Sequence, residues 1–150
     1  MAVWKYRLSH DITDQGLVWL NKYLTEPVVF RDDQGIIRLI INPDGSIIVK
    51  KDYAWDGCSP KFKLFGWLLV GTPDGAPNPS TGYPYTYFAS CIHDALCQFE
   101  DHPDMPFSRS QIDYIFYQRL VRDEFPAALL YYKALRIFGG LYKRLQRLSR

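Results

Sequence analysis

Cysteine is scarce in this chain. Its 150 residues contain three, Cys58, Cys91 and Cys97, which are too few and odd in number for a disulfide scaffold. We therefore expect a reducing compartment and a fold held together by its hydrophobic core. The length is enough to bury such a core within one domain, so we predict a single domain over residues 1–150.

Long apolar runs and a strong excess of one charge are also missing. Residues 1–7 do not resemble a signal peptide, and no segment is apolar over the about 20 residues that a membrane-spanning helix needs. The net charge is only +2, with most of the basic excess in residues 141–150. We therefore expect that the protein starts in the cytoplasm, that it has no transmembrane segment and that it does not bind nucleic acid.

The first half of the chain consists of short strand-like segments. Residues 28–30, 36–41 and 46–50 are rich in Val and Ile, and turn sequences at residues 32–35 and 42–45 separate them, which predicts two antiparallel hairpins. Residues 16–24 fit a short helix or a strand equally well. Residues 53–85 are rich in proline and are predicted to form a long loop region, part of which folds back onto the core.

The second half is predicted to be helical. Apolar residues recur at helical spacing between 88 and 99, and a capping-box sequence, Ser108-x-x-Gln111, predicts a second helix that runs to about Asp123. A third helix is predicted to begin near Pro126 and to end at Gly139–Gly140. The predicted fold class is α+β, with an N-terminal antiparallel sheet of short strands followed by three helices.

A histidine and an acid stand among apolar neighbours on two successive predicted helices. Asp113 shares a helix face with Phe116 and Leu120, and His93 lies beside Leu96. Buried ionisable groups are costly unless paired, and a short connection lets the helices pack antiparallel. We therefore predict a His93–Asp113 hydrogen bond that orients the imidazole and leaves its other nitrogen to take a proton from water. Asp113 is equally suited to bind a backbone amide or Arg109.

Asp94 suggests a metal site next to this pair. Adjacent helical residues point about 100° apart, so Asp94 and His93 are expected to have different roles. A carboxylate together with loop carbonyl oxygens is what calcium needs. The sequence around Asp56 and Gly57 is a candidate source of those oxygens, so Asp94, Asp56 and Gly57 are the predicted metal residues.

Several other interpretations stay open at this point. Asp56 and Ser59 can equally form a turn that ends a strand, and Cys58 is a candidate nucleophile without an evident base. The basic, leucine-containing C-terminal end suits either a solvated helix or a membrane surface. A zinc site is a further alternative, with Cys91, His93, Cys97 and His102 as its candidate ligands, although no Cys-x-x-Cys pair occurs among them.

Four motifs follow one another along the chain. They are Trp55-Asp56-Gly57-Cys58-Ser59-Pro60, His93-Asp94-Ala95-Leu96, Ser108-Arg109 with Asp113 and Phe116, and residues 130–139. Their order resembles an uncharacterised family found mainly in tailed bacteriophages and prophages, whose signature is an Asp-Gly-small-Ser-x-Pro loop followed by a His-Asp helix. The resemblance covers roughly residues 30–140 and implies a phage origin, but no established activity.

The helix pair is also similar to the calcium-dependent secretory phospholipases. In those enzymes a histidine activates water, a later acid orients it and the Asp after the histidine binds calcium. The resemblance implies that His93 is the base, Asp113 its orienter and Asp94 the calcium ligand, with an ester or lipid-like substrate.

Two functions are predicted from these observations. One is a phage-encoded hydrolase-like protein in which His93 and Asp113 activate water, assisted by calcium. The other is a non-enzymatic phage module, a virion component or a factor that binds a host protein, in which the same pair fastens helices together. The expected location is the cytoplasm of the infected bacterium or the virion.

Overall fold

A computed structural model describes residues 6–15, 24–55 and 77–148, without the side chains of residues 138 and 140–147. The described elements in chain order are β1 (Tyr6–Arg7), β2 (Ile12–Asp14), β3 (Val28–Arg31), β4 (Ile37–Ile41), β5 (Ile47–Val49), β6 (Ala54–Trp55), α1 (Tyr87–Gln98), α2 (Arg109–Arg122) and α3 (Ala128–Leu148). The fold is α+β, as the sequence predicted.

The larger sheet is antiparallel, with the strand order β2-β5-β4-β3. Its register pairs Val28 with Ile41 and Ile41 with Ile47, so both predicted hairpins are confirmed. Strands β1 and β6 form a separate two-stranded pair in which Tyr6 faces Trp55. Strands β1, β2 and β6 were not predicted, because they lack the Val- and Ile-rich runs between turn sequences that indicated β3, β4 and β5.

Helix α1 lies between the sheet and α2. Alternate residues of β4 and β5 are fully buried, as are Ile92 and Leu96 on α1, and they share one core cluster. A buried polar contact joins the same layers, since the Trp55 indole Nε1 donates to Ser90 Oγ at 3.1 Å. A second apolar cluster between α2 and α3 contains Phe116, Leu120, Phe125, Tyr131 and Leu135.

The capping box at the start of α2 is confirmed. The Gln111 amide donates to Ser108 Oγ at 3.3 Å, and the Ser108 amide donates to Gln111 Oε1 at 2.8 Å. The helix ends at Arg122 with Asp123 as its C-cap, where the sequence placed its end. The register of α2, and with it the direction of Asp113, is therefore set locally.

The predicted end of α3 at Gly139–Gly140 was wrong. The helix continues to Leu148, and neither glycine has the positive φ with which a glycine usually ends a helix. A glycine inside a helix costs only about 1 kcal/mol relative to alanine, which a long packed helix tolerates. Among the described residues, no helix has the length and apolarity needed to cross a membrane.

Candidate functional site

His93 lies on the face of α1 that packs against α2. Its side chain is almost fully buried, and the edge of its ring meets the Phe116 ring at a centroid distance of 5.2 Å. Ring nitrogen Nε2 lies 2.8 Å from Asp113 Oδ1. The hydrogen bond predicted from the two helix faces is therefore present.

Asp113 also binds two arginines. Arg109 lies one helical turn earlier and donates from Nε to Asp113 Oδ1 at 3.0 Å, so both partners proposed from the sequence are used. Arg136 on α3 donates from Nη1 to Oδ2 at 2.8 Å. We call His93, Arg109, Asp113 and Arg136 the Asp113 cluster, which joins all three helices through one carboxylate.

Arg109 extends the cluster towards the end of α1. Its Nη1 atom lies 3.1 Å and 3.3 Å from the two carboxylate oxygens of Glu100. Its Nη2 atom would lie 3.6 Å from a Cβ built on Gly139, so the guanidinium group packs against the α3 backbone. Arg109 thus lies between the carboxylates of Asp113 and Glu100 and the surface of α3. Its planar guanidinium group has several N–H donors, which suits contacts with two carboxylates.

The charges of the cluster favour one protonation state. Burial lowers the pKa of His93, but the nearby Cys97 sulfur, the hydrogen bond to Asp113 and the neighbouring Asp94 carboxylate raise it well above 6.5. Burial raises the pKa of Asp113, but the His93 hydrogen bond and the two arginines outweigh burial and lower it. Both shifts favour the charged pair, an imidazolium bound to a carboxylate.

The second ring nitrogen of His93 faces away from Asp113. Nδ1 lies 3.9 Å from Asp94 Oδ1 and 3.7 Å from Cys97 Sγ. The sulfur is also 3.6 Å from Nε2, so it faces the ring and is not aligned with one N–H group. Neither Asp94 nor Cys97 lies as close to Nδ1 as Asp113 lies to Nε2.

A pocket of about 460 Å³ lies between the sheet and α1, and His93 is not among the residues that line it. Asp94 and Cys97 line its α1 side, while Arg7 and Arg38 come from the strands. Arg38 is paired with Asp32 at 2.7 Å. The pocket is therefore polar, holds charges of both signs and is lined by Asp94 and Cys97, the two side chains near His93 Nδ1.

The predicted metal residues are only partly described. Asp94 lines the pocket, and its carboxylate is 28% exposed, so it is accessible as a ligand. Asp56 and Gly57 lie outside the described residues, as do Cys58 and Ser59. Within the described residues no three His, Cys, Asp or Glu side chains converge on one point. Asp94 is therefore the one predicted calcium ligand whose position is established here.

The described structure also bears on the proposed zinc ligands. His93 and Cys97 are neighbours, but Cys91 is buried in the core cluster and His102 packs its ring edge against Phe30 at 5.2 Å. These four residues therefore do not converge as a structural zinc site requires.

Arg136 and Glu100 were missed as site residues by sequence reasoning. Arg136 is 23 positions from Asp113, so no local spacing links them. One signal was available, because Arg136 and Gly139 are three apart and share a helix face, and a glycine permits close approach of another chain segment. Glu100 lies just beyond α1, where helical periodicity no longer predicts direction.

The chain matches no known protein-family model, no curated protein and no solved structure at a significant level. The geometry of the site is therefore the main basis for a functional proposal.

Proposed function

We propose that the protein is a phage-encoded, hydrolase-like protein in which His93, oriented by Asp113, activates water for attack on an ester or lipid-like substrate. The observation that carries the proposal is the unequal use of the two ring nitrogens. Nε2 makes a 2.8 Å hydrogen bond to a buried carboxylate, while Nδ1 lies near Asp94 and Cys97, which line a pocket. A histidine fixed at one nitrogen can act as a general base at the other, and water would reach Nδ1 from the pocket past these two side chains.

Each neighbour has a defined role in this proposal. Neutral His93 accepts a proton from water at Nδ1, and Asp113 stabilises the imidazolium that forms. Arg109 and Arg136 keep Asp113 ionised, so that it does not take the proton itself. His93 then returns the proton to the departing alcohol. Because the pKa of His93 is raised, the neutral ring becomes more abundant as the pH increases above neutrality.

In this proposal calcium binds in the pocket at Asp94. Calcium prefers six to eight oxygen ligands, and the pocket is also lined by Asp52 and by Asp32, which is paired with Arg38. The remaining ligands would come from the loop with Asp56 and Gly57 and from water. When bound, calcium would polarise the substrate carbonyl. Asp94 would bind the ion, while His93, at the adjacent position of α1, accepts the proton from water and returns it to the alcohol.

A second function is favoured by a different observation. Asp113 is almost fully buried and accepts hydrogen bonds from three cationic side chains on three helices. Such a cluster fastens helices together without any reaction. In this alternative the protein is a non-enzymatic phage module, a virion component or a host-binding factor, and the pocket has no catalytic role.

The proposal is tested by two measurements on the full chain. Hydrolysis of a soluble short-chain ester and of micellar phospholipid is followed in calcium and in excess chelator. Calcium is titrated calorimetrically into wild-type protein and into Asp94→Asn. We expect calcium-dependent hydrolysis and a saturable binding isotherm that Asp94→Asn abolishes. Absence of hydrolysis of both substrates at alkaline pH, in the presence of calcium, would favour the non-enzymatic module.

A control variant separates the metal role from general surface charge. Asp104 is an exposed acid, with a side chain 70% accessible, beyond the end of α1. Asp104→Asn removes the same charge as Asp94→Asn at a distance from the pocket. Calcium binding that both substitutions weaken equally would contradict a specific role for Asp94.

A further inference from the structure

Helix α3 has a second apolar face that the described part of the protein leaves uncovered. Its inner face, with Tyr131 and Leu135, is buried against α2. Leu130 and Ile137, however, are 51% and 60% exposed, and Leu148 is 84% exposed. A solvent-facing helix surface is normally polar, so this apolar stripe needs a partner.

The three exposed residues form one stripe along the helix. They are seven and eleven positions apart, and both spacings return to within about 20° of the same direction on an α-helix. The buried residues Tyr131 and Leu135 lie about 100–160° around the axis from this stripe. The helix thus has apolar residues on two separate faces, and the described residues of the outer face are Leu130, Ile137 and Leu148.

The charge of α3 indicates what covers this face. The helix sequence contains five basic residues and no acidic residue. Lys133 is exposed within one turn of both Leu130 and Ile137. An apolar helix face bordered by Lys and Arg is the pattern of a helix that lies in the interface of an anionic membrane.

A second copy of the chain is a poorer occupant. Two α3 helices packed through this stripe would bring Lys133 of each copy to the interface, and the helix sequence contains no acidic residue to pair with it. An anionic bilayer offers an apolar interior for the leucine and isoleucine side chains and negatively charged headgroups for the lysine. We propose that the outer face of α3 binds the surface of anionic lipid membranes, with Leu130, Ile137 and Leu148 immersed at the headgroup level.

Vesicle sedimentation of the full chain tests this inference. Ether-linked phosphatidylcholine vesicles are compared with ether-linked vesicles that also contain phosphatidylglycerol, since ether lipids resist ester hydrolysis. The result is therefore independent of the proposed activity. We expect binding to the phosphatidylglycerol vesicles, little binding to phosphatidylcholine alone, and weaker binding at high salt.

Substitutions identify the surface. Leu130→Ser with Ile137→Ser is expected to weaken partitioning about tenfold or more, because two apolar side chains no longer enter the lipid. Val121→Ser is the matched control, since Val121 is also 51% exposed but lies on α2, and it should leave partitioning unchanged. Unchanged far-ultraviolet circular dichroism and thermal midpoint establish that each variant is folded.

Three results would overturn the inference. They are absence of binding to phosphatidylglycerol vesicles, equal loss of binding in Val121→Ser and in the double variant, and a concentration-dependent dimer that the double variant abolishes. The last result, measured by sedimentation velocity, would assign the face to a second copy.

Discussion

At the scale of single residues, Asp113 is the most constrained group in the described structure. Its carboxylate has two oxygens and three cationic donors, each within 3.0 Å. Taking any of these charges out of water is costly, and their mutual contacts offset that cost only while all partners are present. The effect of a substitution therefore depends on which charge is left without a partner.

Asp113→Ala should be severely destabilising. It removes the only carboxylate that His93 and Arg136 share and leaves positive groups facing one another in a buried site. We expect a loss of about 3–5 kcal/mol in the free energy of unfolding, measured by urea denaturation. The exposed Asp104→Ala should change stability by less than about 0.5 kcal/mol. Similar effects of both substitutions would show that the Asp113 cluster does not stabilise the fold.

His93→Gln should be much milder. The amide of glutamine can donate to Asp113, which also keeps its hydrogen bonds from Arg109 and Arg136. We expect a loss of about 1–2 kcal/mol, since one charge-assisted hydrogen bond is exchanged for a neutral one. Urea denaturation measures it. A loss as large as that of Asp113→Ala would mean that His93 acts mainly as a helix fastener.

Stability should fall at both ends of the pH range for different reasons. The pKa of folded His93 lies above its ordinary 6.5, so its contribution is complete below pH 6.5 and is lost as the pH rises through the folded pKa. The pKa of folded Asp113 lies below its ordinary 3.8, so its contribution is present above that pH and is lost as the pH falls through the folded pKa.

The difference between wild type and His93→Gln isolates the histidine part of this pH dependence. Urea unfolding at a series of pH values should show the stability advantage of wild type shrinking on the alkaline side. An advantage that grows with pH would contradict a raised pKa for His93.

At the scale of elements, local signals predicted those parts of the fold that depend on few residues. The Ser108–Gln111 capping box and the two hairpin turns were read correctly, because caps and turns are determined by side chains a few positions away. The end of α3 was not, because tertiary packing decides whether a helix continues through glycine. Strands β1, β2 and β6 were missed because they lack a Val- and Ile-rich run bounded by turn sequences.

Gly139→Ala provides a test of the continuous α3. A Cβ at this position would meet Arg109 Nη2 at 3.6 Å, an ordinary contact, and alanine is the better helix former. We expect a gain of up to about 1 kcal/mol in thermal or urea unfolding. Gly35→Ala is the opposing control, since Gly35 has a φ of +78° and alanine there should cost about 1 kcal/mol or more. Destabilisation by Gly139→Ala would indicate that the helix ends at the glycines.

At the scale of the whole molecule, a second polar cluster joins the sheet to the helices. Asp14 on β2 is buried and forms ion pairs with Arg119 and Arg122 of α2. Arg119 also binds Asp123 at 3.0 Å, and its guanidinium lies 4.8 Å from the centre of the Phe88 ring. Burial, despite the hydrogen bonds from Arg119, raises the pKa of Asp123.

This second cluster was not predicted, and it could not have been. Asp14 and Arg122 are 108 positions apart, and no pattern within a window of one helix or one hairpin connects them. The His93–Asp113 pair was predictable because both residues occupy apolar faces of successive helices. Long-range ion pairs depend on how the layers meet, which the sequence pattern does not specify.

Asp14→Ala should weaken the contact between the sheet and α2. It leaves Arg119 and Arg122 without their strand partner, although both arginines retain some access to solvent. We expect a loss of about 1–3 kcal/mol in urea denaturation, smaller than for Asp113→Ala. Asp33→Ala, at an exposed turn position, is the control. A larger effect at Asp14 than at Asp113 would make the sheet contact, and not the helix cluster, the main polar support of the fold.

The central claim, that His93 activates water at the pocket, is tested most directly by comparing the kcat/KM of ester hydrolysis for wild type and His93→Gln. The comparison is made at alkaline pH in the presence of calcium, with both proteins shown to be folded. The proposed role predicts a decrease of about 10²- to 10⁴-fold, because a general base contributes that much to the rate. Equal kcat/KM values for the two folded proteins would contradict it.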